Sequence, residues 1–268
     1  MKTGKIAIIG GGNLGGAIAT GLVHTKAVEA SSLHVTRRRP QLLEPLAKMG
    51  IVTGSNNLEA AKDADILFLA VKPYQIEDVI SEVSSELSSS TIIISLAAGL
   101  NNQTLFELTG GKYPVFRAMP NTAVAIGESM TGISGINASK EDIEIVKALF
   151  AKLGSVEVIP EDLMDGITVL ASCGIAFALR FIRAATEAGV EIGFGSELAL
   201  KVVSQTVKGA ARLLIEGGGH PEAEIDKVTT PRGITIAGLN EMEHGGFSSS
   251  VIKAIKASFE KTENSRKL

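Results

Sequence analysis

Short apolar segments alternate with helical stretches through the first part of the chain. Most of these segments are dense in Ile, Val and Leu rather than alternating with polar residues, as is typical of strands buried on both faces. We predict strands at Lys5–Ile9, Leu33–Thr36, Ile51–Thr53, Ile66–Val71, Thr91–Leu96, Val115–Met119, Met130–Ser134 and Val156–Ile159. Helices are predicted at Leu14–His24, Pro40–Lys48, Pro73–Leu87 and Lys140–Leu153. This repetition predicts an α/β fold with a doubly wound, mainly parallel sheet over residues 1–160.

After Pro160 the strand-like segments stop and long helical patterns replace them. The predicted helices Asp165–Ala188 and Ser196–Glu216 are apolar on almost every face, with Ser196 as an N-cap and Gly217 just past the end of the second helix. A helix that is apolar on all sides is buried on all sides. We therefore predict an all-helical dimerisation domain over residues 161–268, in which a second copy of the chain covers the two helices. The predicted assembly is a homodimer, or a higher homo-oligomer. The alternative is that helices of the first domain cover the two apolar helices.

The composition and charge of the chain disfavour several classes of protein. The chain has 268 residues, one Cys and a formal net charge of −3, with 4% aromatic residues. A lone cysteine excludes an intrachain disulfide, and the slightly acidic balance disfavours nucleic acid as a partner. The apolar run Ile167–Leu179 is shorter than the ~20 residues of a membrane span. The N-terminal apolar run ends in glycines, unlike a secretory signal. We predict a soluble cytoplasmic protein without membrane or nucleic-acid partners.

A glycine motif, Gly10-x-Gly12-x-x-Gly15, follows the first predicted strand and opens a helix. In a Rossmann-type fold, such glycines permit the tight turn, the approach of a pyrophosphate and close helix–strand packing. The free N–H groups at the start of the helix bind the anion. The motif therefore predicts dinucleotide binding; the alternative is a glycine-rich turn that binds nothing.

The second predicted strand ends in Thr36-Arg37-Arg38-Arg39. NAD sites place an acidic residue there to hold the ribose 2′-hydroxyl, and this segment contains none. A hydroxyl and guanidinium groups suit a 2′-phosphate instead. The segment favours NADPH over NADH, although the arginines could also form a solvated charge run.

Further segments follow the other predicted strands, at the edge of the sheet where ligands bind in such folds. They are Ala70-Val71-Lys72-Pro73, Ala97-Ala98-Gly99 and Met119-Pro120-Asn121-Thr122. Small residues would let a flat nicotinamide approach the backbone, and the Asn121 amide offers donors and an acceptor for its carboxamide. Each segment alone could equally be an ordinary loop.

A second constellation lies in the helical part, from Val228 to Phe247. Thr230 and Pro231 are typical of an N-cap and a first helical position. That helix start would present the N–H groups of Gly233, Ile234 and Thr235 to a carboxylate. The alternative is a capped helix start with no ligand.

With both constellations identified, the chain resembles the pyrroline-5-carboxylate reductases nearly end to end. The resemblance rests on residues 10–15, on Phe68–Pro73, on Met119–Thr122 and above all on Thr230–Phe247. It implies reduction of 1-pyrroline-5-carboxylate to L-proline with NADPH or NADH, the last step of proline biosynthesis. It also implies a Rossmann domain followed by a helical dimerisation domain, and an active site where the cofactor cleft of one subunit meets helices of the dimer.

The resemblance also implies roles for individual residues. The cofactor phosphates would lie on Gly12, Asn13 and Leu14. The adenosine ribose end would lie on Thr36, Arg37 and Asn57. The nicotinamide end would lie on Ala70, Lys72, Pro73, Ala97 and Asn121, and the substrate carboxylate on Gly233, Ile234 and Thr235. Arg232, where the family usually has a small residue, and Phe177, within Ser172–Phe177, depart from the family pattern.

The chemistry implied needs little acid–base machinery, because a protonated imine carbon is already electrophilic. Holding the nicotinamide C4 and that carbon face to face can lower the barrier by roughly 7–11 kcal/mol. We expect Thr235 to bind the ring nitrogen or carboxylate and water to supply the proton. Cys173 is interpreted as a small buried hydrophobe, and the histidines show no metal-ligand spacing, so no metal site is predicted.

Two rival hypotheses remain open at this stage. One is a β-hydroxyacid dehydrogenase, which normally uses a lysine on the long central helix; Asp165–Ala188 contains none. The other is a non-catalytic NADP-binding sensor or structural dimer, which the departures at Arg232 and Phe177 motivate.

Overall fold

A computed structural model describes residues 4–265. One sheet holds the strands in the order β3-β2-β1-β4-β5-β6-β7-β8. Their bounds are β1 Ile6–Ile9, β2 Leu33–Thr36, β3 Val52–Gly54, β4 Ile66–Leu69, β5 Ile92–Ser95, β6 Val115–Met119, β7 Ser129–Ile136 and β8 Gly154–Val158. Only the β6–β7 pairing is antiparallel among these strands. The predicted doubly wound, mainly parallel sheet is confirmed.

Helices flank the sheet in the first part of the chain. They are α1 Asn13–His24, α2 Glu44–Ala47, α3 Asn57–Ala61, α4 Ile76–Val83, α5 Asn102–Leu108, α6 Lys140–Ala151 and α7 Met164–Ile167. The predicted helices Pro40–Lys48 and Pro73–Leu87 are each divided between α-helix and 3₁₀ turns. A proline begins each of the two N-terminal 3₁₀ turns, as suits a residue that lacks a backbone N–H. The short helices α3 and α5 were absent from the sequence prediction.

Successive residues of the central strands enter two separate apolar cores. Ile6 and Ile8 pack into one core, while Ala7 and Ile9 pack into the other. This alternation follows from the period of two of a β-strand. It explains the unbroken apolar segments, because each central strand is covered on both faces.

The described chain divides into two compact units. One runs up to Cys173 and includes the segment from Ser258 onward, and the other is Gly174–Ala257. The remaining helices are α8 Gly174–Glu191, α9 Ser196–Gly217, α10 Pro221–Lys227, α11 Ile234–His244 and α12 Phe247–Ser265. The boundary expected at residues 160 and 161 stays a prediction.

Within the second unit, α8 packs against α9. A Cβ at Gly189 would lie 3.0 Å from the Cβ of Ala199, so the missing side chain permits the close approach. The predicted caps of α9 are wrong. Gly195, not Ser196, is the N-cap, and Gly217 ends the helix. Gly218 then adopts the left-handed conformation that glycine favours at this position.

The helical stretch Glu161–Glu191 is long and apolar enough, by length and composition, to cross a membrane. This stretch is longer than the apolar run Ile167–Leu179 because it includes charged residues on both sides of that run, and the absence of a membrane partner stays a prediction. A core helix of a water-soluble protein can meet the same criterion, so a single such stretch is weak evidence for a membrane. Residues Thr168–Cys173 within it have π-helical hydrogen bonding, a feature frequent at functional sites.

Candidate active site

The glycine turn joins the end of β1 to the start of α1. Gly10 has a φ of +109°, and a Cβ there would lie 2.4 Å from the Ala70 carbonyl oxygen. A Cβ at Gly15 would lie 2.2 Å from the carbonyl oxygen of Gly10. These two glycines are therefore needed for the fold. At Gly12 a Cβ would have no atom within 4 Å, so the chain leaves space at this position.

That space adjoins the start of α1. Gly12 is the N-cap, and it has no side chain that could accept a hydrogen bond from the first N–H groups of the helix. The first N–H groups of a helix lack intrahelical partners and carry a partial positive charge. The first turn of α1 contains no acidic residue that would compete for an anion. Asn13, Leu14 and Gly15 therefore begin a helix suited to a diphosphate.

The end of β2 is tied directly to this turn. The N–H groups of Gly10 and Gly11 both donate to the Thr36 carbonyl oxygen, at 3.1 and 2.7 Å. The half-buried Arg37 donates from Nη1 to the Gly11 carbonyl oxygen at 3.2 Å, whereas Arg38 and Arg39 are exposed. Of the three arginines, Arg37 is thus the one held against the glycine turn.

Thr36 and Asn57 form a chain of hydrogen bonds beside Arg37. The buried Thr36 hydroxyl donates to Asn57 Oδ1 at 2.7 Å, and Asn57 Nδ2 donates to Glu82 Oε2 at 2.8 Å. The structure therefore brings together the residues expected at the adenosine ribose. Glu82 was missed, because its position on α4 gave no sign in the sequence that it would reach Asn57.

The segments after β4 and β5 lie at the same edge of the sheet, because these strands are parallel to β1. The Ala70 N–H donates to the Ile9 carbonyl oxygen at 2.8 Å, and Val71 is half-buried. Lys72 and Pro73 are exposed. In the next segment Ala97 is buried, Ala98 is exposed and Gly99 has a φ of +90°.

Asn121 lies just after β6, and both ends of its amide are held. Its Oδ1 accepts from the Ala123 N–H at 3.0 Å, and its Nδ2 donates to the Ala171 carbonyl oxygen at 3.2 Å. The Ser172 hydroxyl donates to the neighbouring Pro120 carbonyl oxygen at 2.6 Å. One Nδ2 hydrogen of Asn121 is still available to a ligand. The role of Ala171 and Ser172 was missed because it depends on contacts between residues far apart in sequence.

In the second unit, the start of α11 differs from the prediction. Gly233, not Thr230, is the N-cap, and Thr230–Gly233 forms a turn in which the Gly233 N–H donates to the Thr230 carbonyl oxygen at 2.9 Å. The N–H groups that lack an intrahelical partner are therefore those of Ile234, Thr235 and Ile236. Ile234 is 93% exposed and Thr235 is half-buried. The expected end of this helix before Gly245 is confirmed.

Arg232 occupies the turn with a φ of +59°. A residue with a Cβ is disfavoured in this left-handed region, which glycine enters freely. Arg232 therefore retains this turn at some cost in stability.

The remaining candidates add no chemistry to the site. Cys173 is half-buried rather than fully buried. His244 lies at the end of α11, 3.5 Å from Glu241, with both side chains exposed. Within residues 4–265, no group of His, Cys, Asp and Glu side chains could hold a metal ion.

Comparison with known proteins gives two family matches. Residues 161–265 match the pyrroline-5-carboxylate reductase dimerisation family, and residues 5–99 match the family described as NADP oxidoreductase, coenzyme F420-dependent. Pyrroline-5-carboxylate reductase 2 of Dictyostelium discoideum is 40% identical, covering 99% of this chain and 95% of that protein. The chain belongs to the pyrroline-5-carboxylate reductase family.

Other relatives agree with this assignment. Pyrroline-5-carboxylate reductase 1 of the same organism is 40% identical over 96% of this chain, but the chain spans about half of that protein, 49%. The crystal structure of the Plasmodium falciparum pyrroline carboxylate reductase with NADP bound has a TM-score of 0.90 and 29% identity, with 99% of both chains covered. The family resemblance and the fold class inferred from sequence are confirmed.

Proposed function

We propose that this reductase-family chain reduces 1-pyrroline-5-carboxylate to L-proline by hydride transfer from NADPH, with NADH as an alternative donor, as the last step of proline biosynthesis. The observation that carries the proposal is that the chain contains an open glycine turn, in its first unit, and a helix start with unpartnered N–H groups, in its second unit. Each is suited to an anion, and cofactor and substrate both carry one.

The cofactor site comprises the glycine turn and the segments at the same edge of the sheet. The space at Gly12 and the N–H groups that begin α1 fit a diphosphate. Arg37 would bind a 2′-phosphate through its guanidinium. When bound, NADPH supplies the hydride. The nicotinamide end would lie on residues 70–73 and 97–99 and on Asn121, whose remaining Nδ2 hydrogen would bind the carboxamide.

The substrate carboxylate would bind at the start of α11. The N–H groups of Ile234 and Thr235 lack an intrahelical partner there, while Thr230 and Gly233 hold the turn that precedes them. The Thr235 hydroxyl would orient the ring by hydrogen bonding to its nitrogen or carboxylate. These residues thus orient the substrate and do not act as acid or base, and water supplies the proton.

The assembly proposed is a homodimer, from which a higher homo-oligomer could be built. The chain carries the family's dimerisation domain. Within the single chain, Leu179 of α8 and Leu198 and Leu213 of α9 are each more than half exposed. Apolar helices with this exposure require a cover. A second copy supplies it in this proposal, in a cytoplasmic enzyme without membrane or nucleic-acid partners.

The assembly is tested by light scattering on the purified protein and by flotation with liposomes. A mass of two or more chains with no liposome binding supports the homo-oligomer. A monomer that floats with the vesicles would overturn it in favour of a membrane-associated helix Glu161–Glu191.

The activity is tested by following the absorbance of NADPH in the presence of pyrroline-5-carboxylate, in parallel with NADH. Substrate-dependent oxidation supports the function. Binding of NADPH without oxidation would favour a non-catalytic sensor, and oxidation of 3-hydroxyacids with NADP would favour a dehydrogenase instead.

Thr235→Ala tests the substrate assignment. We expect turnover to fall by about 10²-fold, as when an orienting contact is lost, while NADPH affinity stays unchanged. Thr229→Ala is the matched control, because its hydroxyl donates to the Ile225 carbonyl oxygen within the preceding helix, at 2.7 Å. Equal kcat/KM for Thr235→Ala and the control would remove Thr235 from the mechanism.

A further inference from the structure

A fully buried arginine lies in the strand that leads to Asn121. The Arg117 side chain on β6 is 0% exposed. Its neighbours across the sheet are Ser95 on β5 and Ser134 on β7. A buried charge is costly unless it is paired. The residues that pair with Arg117 are therefore the ones to which β6 is attached.

Two carboxylates from the segment after Pro160 pair with this guanidinium. Glu161 Oε1 lies 2.5 Å from Nη1, and Asp165 Oδ1 lies 3.4 Å from Nη2. Glu161 also accepts from Asn102, through its backbone N–H at 3.0 Å and its Nδ2 at 2.7 Å. The ion pairs therefore connect β6 to the beginning of the long helical stretch, and the hydrogen bonds from Asn102 connect α5 to it.

The same helical stretch also contacts Pro120 and Asn121, the two residues that follow β6. Ser172 donates to the Pro120 carbonyl oxygen, and the Ala171 carbonyl oxygen accepts from Asn121 Nδ2. Both residues belong to the π-helical turn Thr168–Cys173. Residues 161–172 thus hold residues 117–121 at both ends, by ion pairs at one and hydrogen bonds at the other.

These contacts also fix the orientation of the Asn121 amide. Its oxygen must face the Ala123 N–H and its nitrogen must face the Ala171 carbonyl, so a flipped amide would lose both hydrogen bonds. One Nδ2 hydrogen is left, with its direction set by the π-helical turn. A displacement of this turn would redirect that hydrogen without altering the glycine turn at the other end of the proposed cofactor site.

We propose that Arg117 and Ser172 are positioning residues for hydride transfer: together they hold residues 161–172 against β6 and thereby aim the Asn121 amide at the nicotinamide. This inference rests on the proposed function in placing the nicotinamide at Asn121. It assigns a role to a buried ion-pair cluster that lies outside the residues placed at the proposed cofactor and substrate sites.

The test compares Ser172→Ala and Arg117→Lys with Thr168→Val. Arg117→Lys keeps the charge but loses the fork that spans both carboxylates. Thr168→Val removes a hydroxyl of the same turn that donates only to the Met164 carbonyl oxygen, at 2.7 Å. Each purified variant is assayed for kcat, KM for NADPH, the isotope effect on kcat with NADPH deuterated at the transferred position, and the fluorescence of bound NADPH.

We expect kcat of Ser172→Ala to fall about tenfold and that of Arg117→Lys about 10²-fold, as for a misplacement on the order of 1 Å. The isotope effect on kcat should rise, and KM for NADPH should change less than twofold. The fluorescence of bound NADPH should shift, whereas Thr168→Val should resemble the parent chain. If Arg117→Lys fails to fold, Ser172→Ala alone decides.

The proposal is overturned if Ser172→Ala keeps the parent kcat, isotope effect and NADPH fluorescence. It is also overturned if losses in kcat match the loss of folded protein while the isotope effect and fluorescence stay unchanged. Should the parent chain fail to oxidise NADPH with pyrroline-5-carboxylate, the proposed function fails, and the fluorescence comparison still decides whether Ser172 positions the nicotinamide site.

Discussion

A methyl group at Gly12 tests whether the space in the glycine turn belongs to the cofactor. Gly12 has φ −82° and ψ −158°, an extended backbone with a negative φ that is open to an alanine. A Cβ there meets no atom within 4 Å. Gly12→Ala should therefore fold normally, with a free energy of unfolding within about 0.5 kcal/mol of the parent chain, as for other changes that disturb no packing.

We expect Gly12→Ala to weaken the binding of NADPH instead. A diphosphate must approach the N–H groups of Asn13 and Leu14 to about 2.9 Å to form hydrogen bonds. A methyl group at the N-cap would hold it away from at least one of them. Loss of one hydrogen bond to a charged group costs about 1.5–3 kcal/mol, so the Kd for NADPH should rise roughly 10- to 150-fold.

Two neighbouring glycines provide matched controls. A Cβ at Gly16, within α1, also meets no atom within 4 Å. Gly16→Ala should keep NADPH affinity and gain about 0.5–1 kcal/mol in stability, because glycine is disfavoured inside a helix. Gly15→Ala should destabilise the fold instead, since its Cβ would lie 2.2 Å from the Gly10 carbonyl oxygen.

The assay is a fluorescence titration with NADPH alongside thermal unfolding of the apoprotein. We expect Gly12→Ala to lose NADPH affinity while it retains the thermal stability of the parent chain. Unchanged NADPH affinity in a folded Gly12→Ala protein would refute the placement of the diphosphate at this turn. An equal loss of affinity in Gly16→Ala would show that the effect is not specific to the space at Gly12.

Three further predictions concern charge and backbone strain. Arg37→Gln should raise the Kd for NADPH about tenfold through loss of a charged hydrogen bond, with the Kd for NADH unchanged in parallel titrations. Arg232→Gly should stabilise the chain by up to about 1 kcal/mol in denaturant unfolding, because φ is +59° at this position; equal stability would contradict strain in the turn. Burial, aided by the charge of Lys5 and opposed by that of Glu59, lowers the pKa of His34. The unfolded chain therefore takes up a proton that the folded chain resists, so stability should fall as pH drops below about 6.5, and less so in His34→Gln.

The sheet could be predicted closely because its signal is local and strong. The segments Leu33–Thr36 and Val115–Met119 match the observed strands residue for residue. Their apolar residues are buried on both faces, so the pattern needed no information from distant parts of the chain. The glycine turn was also predictable from a local pattern, since Gly10-x-Gly12-x-x-Gly15 directly follows a strand and opens a helix.

Caps and short helices were harder to predict from sequence. Ser196 and Thr230 are favourable N-cap residues, yet Gly195 and Gly233 occupy those positions. Cap preferences amount to about 1 kcal/mol, which turn geometry and packing easily outweigh. The helix α3, with only Asn57–Ala61, is too short to show a period of 3.6 residues.

The Arg117 cluster could not be predicted at all, and the reason is physical. An arginine within an apolar strand is compatible with an edge position, a ligand or a buried ion pair, and its own neighbours in sequence do not distinguish them. The distinction depends on Glu161 and Asp165, which are 44 and 48 residues away. Loss of a partner from a fully buried guanidinium costs about 3–5 kcal/mol, so such partners matter for the fold. The ion pairs therefore constrain where the long helix begins, and a single strand residue connects the sheet to the turn that holds Asn121.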